Sequence, residues 1–340
     1  MCLSWRVPQD VRGPLSVSVA LCTHNGAEFV REQVESVLSQ TAPPQEIVLS
    51  DDDSHDDTVA IVRELVDEYR AQGGVISFTV LENRPALGVA GNFAQAIAGC
   101  TGDLIALSDQ DDVWHAERLE VVARYFAEHP DVILVHGDAR LIDGHGDPIG
   151  RTLFGSLRIS GRERRQIDRG SAIHTLIRRN VITGATTVFR RDLVSEALPI
   201  PPGWIHDEWF GIIAAMVGRV AIVPGCLVDY RQHDSNQIGV EVVTPTVALR
   251  KLREPRAERN RKLLIRAQSL ADRLHGAGSR IDQRYARIVA EKVEHERFRL
   301  ALPVRRVRRI VPVLVSLARG EYRRYSVGFR DAVRDLVQPT

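Results

Sequence analysis

Three apolar runs in the first third of the chain each stop at a cluster of acids or amides, and this recurrence restricts the fold more than any other feature. Val17–Thr23 (VSVALCT) runs into His24-Asn25-Gly26, residues 46–50 (EIVLS) into Asp51-Asp52-Asp53-Ser54, and residues 103–108 (DLIALS) into Asp109-Gln110-Asp111-Asp112. Continuous short apolar runs are expected of strands covered on both faces. Helical patterns lie between them. Phe29, Val30, Gln33, Val34, Val37 and Leu38 precede Pro43-Pro44, and Val59, Val62, Leu65, Val66 and Tyr69 follow the second run. Further strands are predicted over 75–81 and 132–136, and helices over 91–98 and 119–126. Such alternation predicts an α/β fold with a mostly parallel sheet flanked by helices. Ligands then bind beyond the carboxyl ends of the strands, so the three polar clusters converge on one edge.

Past residue 150 the rhythm loosens. Residues 158–179 are charged and fit no single element, while 182–189 read as a loop entering a strand and 191–198 as a short helix. Pro199, Pro201 and Pro202 stiffen the loop before His206-Asp207-Glu208-Trp209, which opens an apolar helix; a short strand is predicted over 219–224. From about 246 the chain reads as basic helices. The net charge of +1 conceals this: residues 250–340 hold 24 Lys and Arg against 10 Asp and Glu, whereas 1–249 hold 21 against 34. Such a tail is either a set of solvated helices or a contact surface for an anionic partner. The cysteines, Cys2, Cys22, Cys100 and Cys226, form no metal knuckle or CxxC pair, and no secretory signal is visible, so a cytoplasmic setting is expected. No membrane span is expected either: 210–223 is broken by Arg219 and 310–318 is too short.

Asp109 and Asp111 lie two apart at a strand end, so in extended backbone both point to one side, with Cα atoms roughly 6–7 Å apart. Oxygen ligands at that spacing suit a divalent cation, particularly when substrate phosphates complete its shell. The same run also reads as a solvated turn in which Asp112 caps the next helix. Asp51–Ser54 is either a site where an aspartate accepts the imide N–H of uracil or thymine, or a turn of helix-starting residues. Asp207 is placed to accept a proton from a hydroxyl, although an acid at a helix N-terminus is favourable in any case. His233 is a lone imidazole, structural or metal-binding.

Six ordered stretches, VSVALCTHNGAEFVREQVESVLSQT, EIVLSDDDSHDDT, LGVAGNFAQAIAGCTGDLIALSDQDDVW, ITGATTVF, IHDEW and VDYRQHDSNQIG, resemble the family-2 glycosyltransferases of GT-A fold, and within them the bacterial rhamnosyltransferase-like branch. The resemblance covers about residues 15–240; GEYRRYSVGFRDAVRDLV in the tail is similar to C-terminal ends of that branch. It implies a leader (1–14), a GT-A catalytic domain (15–245, donor half about 15–140, acceptor half about 141–245) and a basic helical extension (246–340). It further implies that Thr23 and Asn25 line the nucleotide pocket, that Asp52 with Asp51 contacts a pyrimidine, and that Asp109 faces the ribose or sugar. By the same resemblance Asp111 would ligate Mg²⁺ or Mn²⁺ with His233 nearby, Asp207 would be the general base, and Gly184, Ala185 and Trp209 would lie by the acceptor. The implied donor is a pyrimidine nucleotide sugar, dTDP-rhamnose for this branch, and the implied acceptor a glycan or polyprenyl-linked glycan. Two positions depart from the family: Asp53 replaces a glycine suited to positive φ, and His24 stands where tyrosine is common.

Two other readings share these residues. An aspartyl-nucleophile phosphatase carries Asp-x-Asp after its first strand and a hydroxyl residue two positions later, whereas Asp51-Asp52-Asp53 follows the second strand and is succeeded by His55. A nucleotide-sugar-binding scaffold without turnover would keep the same pocket. In the tail, Arg305, Arg306, Arg308 and Arg309 interleave with Val304, Val307, Ile310 and Val311, a pattern suited to an anionic membrane surface contacted within residues 250–320. Nucleic acid is not expected: aromatics are only 6% of the chain, too few for a stacking platform, and no reader motif is present.

Overall fold

In the computed structural model, which describes residues 14–233, 254–274 and 281–339, the first apolar run becomes an interior strand, β1 (Val17–Thr23), buried along its whole length. Its side chains alternate between two apolar layers, as the period of two requires. Val19 and Leu21 pack with Val30 and Val34 of α1 (Val30–Leu38), and Ala20 and Cys22 with Phe93 and Ile97 on the other face. The rest of the first half follows the predicted order: β2 (Glu46–Asp52), α2 (Thr58–Ala71), β3 (Ser77–Asn83), α3 (Gly88–Gly99) and β4 (Leu104–Ser108). The four strands lie β3-β2-β1-β4, all parallel. Thr23 sits opposite Asp51, and Leu21 opposite Ser108. The polar clusters therefore emerge together.

The second half comprises β5 (Val113–Trp114), α4 (Arg118–Glu128), β6 (Val132–Ile142), β7 (Pro148–Thr152), the short helices α5 (Leu153–Ser156), α6 (Gly161–Asp168) and α7 (Ile173–Leu176), β8 (Val188–Arg190), α8 (Val194–Ala197), α9 (His206–Val217) and β9 (Arg219–Arg231). These strands extend the sheet as β4-β8-β6-β9-β5, with β7 on β6. Here the pairing is mixed: β8 runs antiparallel to β4 and β6, while β6 and β9 are parallel. A strand covered on both faces looks the same in sequence whichever way it runs, so the reversals left no signal. The unassigned stretch 158–179 is organised by a capping box, Ser160 with Glu163, whose Glu163 also pairs with Arg179 at 2.8 Å. The predicted 191–198 helix is a 3₁₀ turn (Arg191–Leu193) followed by α8. The strand expected over 219–224 continues to Arg231, through register shifts against β6.

Among the described residues, five helices follow: α10 (Arg256–Leu274), α11 (Ala286–Ala301), α12 (Ile310–Ala318), α13 (Glu321–Tyr325) and α14 (Phe329–Val337). They are more than a solvated appendage. Leu270, Leu274 and Val289 join the core that holds Trp209 and Phe210, and Leu302, Val313, Tyr322 and Ala332 form a second, small core. Among the described residues no helix is long and apolar enough to cross a membrane. The leader up to residue 13, the 245/246 boundary, residues 250–253 and the 234–239 end of the last motif lie outside the described residues.

Part of the tail's basic surplus is internal. Arg299 is fully buried and donates to Asp335 at 2.7 Å, while its other arm reaches Glu296 at 3.1 Å. Asp335, equally buried, also accepts from Arg259 at 2.7 Å and from the Tyr322 hydroxyl at 2.9 Å. Removing one member of a buried charge network strands its partners. Asp335→Ala is therefore expected to lower unfolding free energy by about 3 kcal/mol, read by urea denaturation. A loss below about 1 kcal/mol would mean that water reaches these arginines.

Candidate active site

The clusters at the strand ends surround a cleft of about 360 Å³. Its walls include Thr23, His24, Asn25 and Asp52 from the first two clusters, Asp109 and Asp111 from the third, and Gly184, Asp207 and His233 from the second half. The two upstream loops are laced together. Asn25 donates its backbone N–H to Ser54 Oγ at 2.8 Å, and its Oδ1 accepts from the His55 N–H at 2.9 Å. Gln110 grips the same turn from the acidic run, accepting from His24 N at 2.7 Å and donating to His24 O at 3.1 Å.

Asp52 faces the cleft and accepts from Leu87 N at 2.6 Å and Gly88 N at 2.9 Å, at the N-terminus of α3 where a carboxylate is favoured. Asp51 does not face it. Its carboxylate is occupied by Thr23 Oγ1 (2.6 Å) and by Ser54 N and Oγ (3.0 and 2.6 Å), so it braces the loop, a correction to its expected place at the pyrimidine. Asp53, at φ 65°, does occupy the left-handed conformation of the family glycine.

The acidic run is crowded and held from behind. Arg231, at the end of β9, donates its backbone N–H to Asp112 Oδ1 at 3.2 Å and its Nε to Asp111 O at 2.8 Å, and pairs with Glu32. Arg118, buried beneath, stacks on Trp114 at 3.8 Å. Its charge offsets part of that on Asp112 and Asp109. Burial first, then the neighbouring Asp111 and Asp207, push the Asp109 carboxyl up to about 8. Asp112 is pushed up in the same way, by burial and then Asp111 and Asp109. Asp112 does not cap α4: the short strand β5 intervenes, and Asp112 is buried instead.

Asp207 lies in the first turn of α9. Gly184 N donates to its Oδ2 at 3.1 Å and Glu208 N to its Oδ1 at 2.6 Å. Burial, reinforced by Glu208, nonetheless raises its carboxyl to about 7. His206, beside it, is buried and stacks on Phe93 at 3.8 Å. Across the cleft His233 Nε2 meets Asp111 Oδ2 at 2.8 Å. Ala185 and Trp209 are not in the walls. Both are fully buried, and Trp209 donates its indole N–H to Ala197 O at 2.5 Å, so their expected place by the acceptor is corrected to the core. Only Gly184 of the three predicted acceptor residues reaches the cleft.

Residues 18–196, just over half of the chain, match the family described as Glycosyl transferase family 2. The chain belongs to that family. Asp207 and His233 lie beyond the matched span. An uncharacterized glycosyltransferase of Nostoc sp. is 27% identical over 229 residues, 65% of this chain and 66% of that protein. An uncharacterized protein of Mycobacterium bovis is 26% identical over 226 residues, and this chain spans 59% of its length. A UDP-Glc:α-D-GlcNAc-diphosphoundecaprenol β-1,3-glucosyltransferase of Escherichia coli is 29% identical over 129 residues, 38% of this chain and 47% of that enzyme. Among solved structures, S. aureus TarS 1-349 with UDP-GlcNAc has a TM-score of 0.52 at 17% identity, over 94% of this chain and 90% of that one. A Pyrobaculum calidifontis mannosyltransferase with GDP-Man and Mn²⁺ has a TM-score of 0.51 at 18% identity, over 93% and 79%. Both show the shared GT-A fold.

Two outcomes follow for the protein without any ligand. Asp53→Gly relieves a left-handed aspartate and is expected to raise stability by about 1 kcal/mol, read as a higher Tm. Asp109→Asn removes a carboxylate whose native pKa lies above its unfolded value, so its ionisation destabilises the fold increasingly from about pH 4 to pH 8. In metal-free buffer the variant is expected to be more stable by about 1–2 kcal/mol, with a larger gain at about pH 8.5 than at about pH 5. An equal gain at both would contradict the charge explanation.

Proposed function

We propose that this glycosyltransferase moves a sugar, rhamnose from dTDP-rhamnose being the donor its motifs favour, from a pyrimidine nucleotide sugar to a glycan or polyprenyl-linked acceptor. The setting would be cell-surface polysaccharide synthesis on the cytoplasmic side of the membrane. The supporting observation is that one cleft joins the Thr23–Asn25–Asp52 wall, the acidic run and Asp207. The Escherichia coli relative, named for a nucleotide-sugar donor and a diphosphoundecaprenol-linked acceptor, supports the same pair of substrate classes.

Mg²⁺ or Mn²⁺ fits the donor set. A carboxylate oxygen of Asp111 and a ring nitrogen of His233 already meet, and the mutual repulsion of Asp109, Asp111 and Asp207 calls for a counter-cation. Among the described residues no three His, Cys, Asp or Glu side chains form a metal cage. Asp111 and His233 would hold the ion, with diphosphate oxygens completing its shell. The bound cation would supply neutralisation of the charge on the departing diphosphate.

Asp207 supplies the proton acceptor. A carboxyl raised to about 7 is basic enough to take the hydroxyl proton near neutral pH. The N–H groups of Gly184 and Glu208 fix its two oxygens and keep it aimed. Attack by the deprotonated hydroxyl opposite the departing diphosphate is a single displacement and inverts the anomeric centre. A non-catalytic scaffold would bind the donor and stop there.

Turnover of candidate nucleotide sugars with Mn²⁺, after a thermal-shift screen of dTDP against UDP, tests the proposal. Because the base must be ionised, kcat is expected to rise with pH through about 7 and then level off. Asp207→Asn is expected to lower kcat by roughly 10²–10⁴-fold and leave donor KM nearly unchanged. Full activity in that variant would remove Asp207 from the reaction, and no turnover with any pyrimidine nucleotide sugar would favour the scaffold.

A further inference from the structure

Among the described residues, twelve large apolar side chains are exposed, and six of them fall between residues 304 and 315. Val304 (71% exposed), Val307 (77%), Val311 (69%) and Leu314 (54%), with Ile310 and Val315, occupy the approach to α12 and its outer face. Isolated surface hydrophobes are ordinary, but a contiguous group of this kind marks a contact surface. The segment is firmly held. Arg309 turns inward and donates to the carbonyls of Pro303 and Val304 at 2.6 Å, of Gln338 at 2.8 Å and of Asp335 at 3.1 Å. Val313 and Leu302 anchor the same stretch in the small C-terminal core.

The charge around the patch is of one sign. Arg305, Arg306 and Arg308 are exposed between the valines, and Arg319 is exposed just past the end of α12. No aspartate or glutamate occurs from residue 297 to 320. A second copy of the chain would set these arginines against each other across any self-complementary contact, whereas anionic lipid headgroups complement them. With nine residues, α12 cannot cross a bilayer, so its apolar face would lie within the headgroup boundary.

We propose that residues 304–315 form a surface that docks this transferase on an anionic phospholipid bilayer. Apolar side chains enter the interface there, and Arg305, Arg306 and Arg308 engage the lipid phosphates. The proposal deepens the reading of a lipid-linked acceptor. Its assay needs no turnover, so the two fail separately.

The test is co-sedimentation of the full chain with vesicles of phosphatidylcholine containing about a third phosphatidylglycerol, compared with phosphatidylcholine alone. Binding is expected to the anionic vesicles at low salt and to weaken as salt screens the arginines. Two variants, Val307→Ser/Val311→Ser/Leu314→Ser and Arg305→Gln/Arg306→Gln/Arg308→Gln, should each weaken binding by about tenfold or more. All six side chains are exposed, so unchanged circular dichroism and unchanged donor turnover are expected of both. Absence of low-salt binding, equal binding to neutral vesicles, or wild-type binding by both variants would overturn the proposal. So would a light-scattering dimer that the serine variant dissolves while vesicles capture neither protein.

Discussion

The site depends on keeping Asp109, Asp111 and Asp112 together at one strand end although their charges repel. Burial raises the cost of each ionised carboxylate, and the displaced pKa values of Asp109 and Asp112 record that cost. The framework answers from behind. Arg231 fixes the run through its backbone N–H and guanidinium, and Arg118 brings a second positive charge beneath it. Both depend on the second half of the sheet or its flanking helix: Arg231 is reached only because β9 continues for thirteen residues, and Arg118 opens α4. The open face of the run, where Asp111 meets His233, is left to the substrate side of the cleft.

The first half of the sheet was legible because its signals are local. A doubly covered strand must be apolar throughout, a parallel neighbour needs a helical crossover, and strand ends in such a sheet are where polar residues can gather. Hence the clusters holding Asp52, Asp109 and Asp111 could be placed at one edge of the sheet from position alone, while the roles expected of them and of Asp207 rest on the family resemblance. What sequence could not show is the direction a side chain takes once neighbours compete for it. Asp51 and Asp52 are adjacent and identical in type, yet Thr23 and Ser54 claim the first and the α3 N-terminus leaves the second facing the cleft. Trp209 and Ala185 sit in motifs but are drawn into the core, where their apolar surface is removed from water. Arg118 gave no signal at all, since a single arginine at a helix start is usually solvated.

The tail divides its arginines between two tasks. Arg299 and Arg309 are buried and organise a core from the inside, while Arg305, Arg306 and Arg308 remain on the surface. Composition counts them alike. Only the hydrogen-bond partners, carboxylates for Arg299 and chain carbonyls for Arg309, separate scaffold from surface.

The helical extension also reaches the surroundings of Asp207. Arg266 of α10 stacks on Trp204 at 4.1 Å and pairs with Glu208 at 2.6 Å, and Trp204 donates its indole N–H to Ser269 at 2.9 Å. Glu208 is one of the charges that raise Asp207, and Arg266 lowers it, so the pair acts in opposite senses on the same carboxyl. Without α10, Glu208 would face Asp207 uncompensated, and the Asp207 carboxyl would be protonated over more of the neutral range. The extension is therefore part of what sets the proton affinity at the site, as well as a platform beside it.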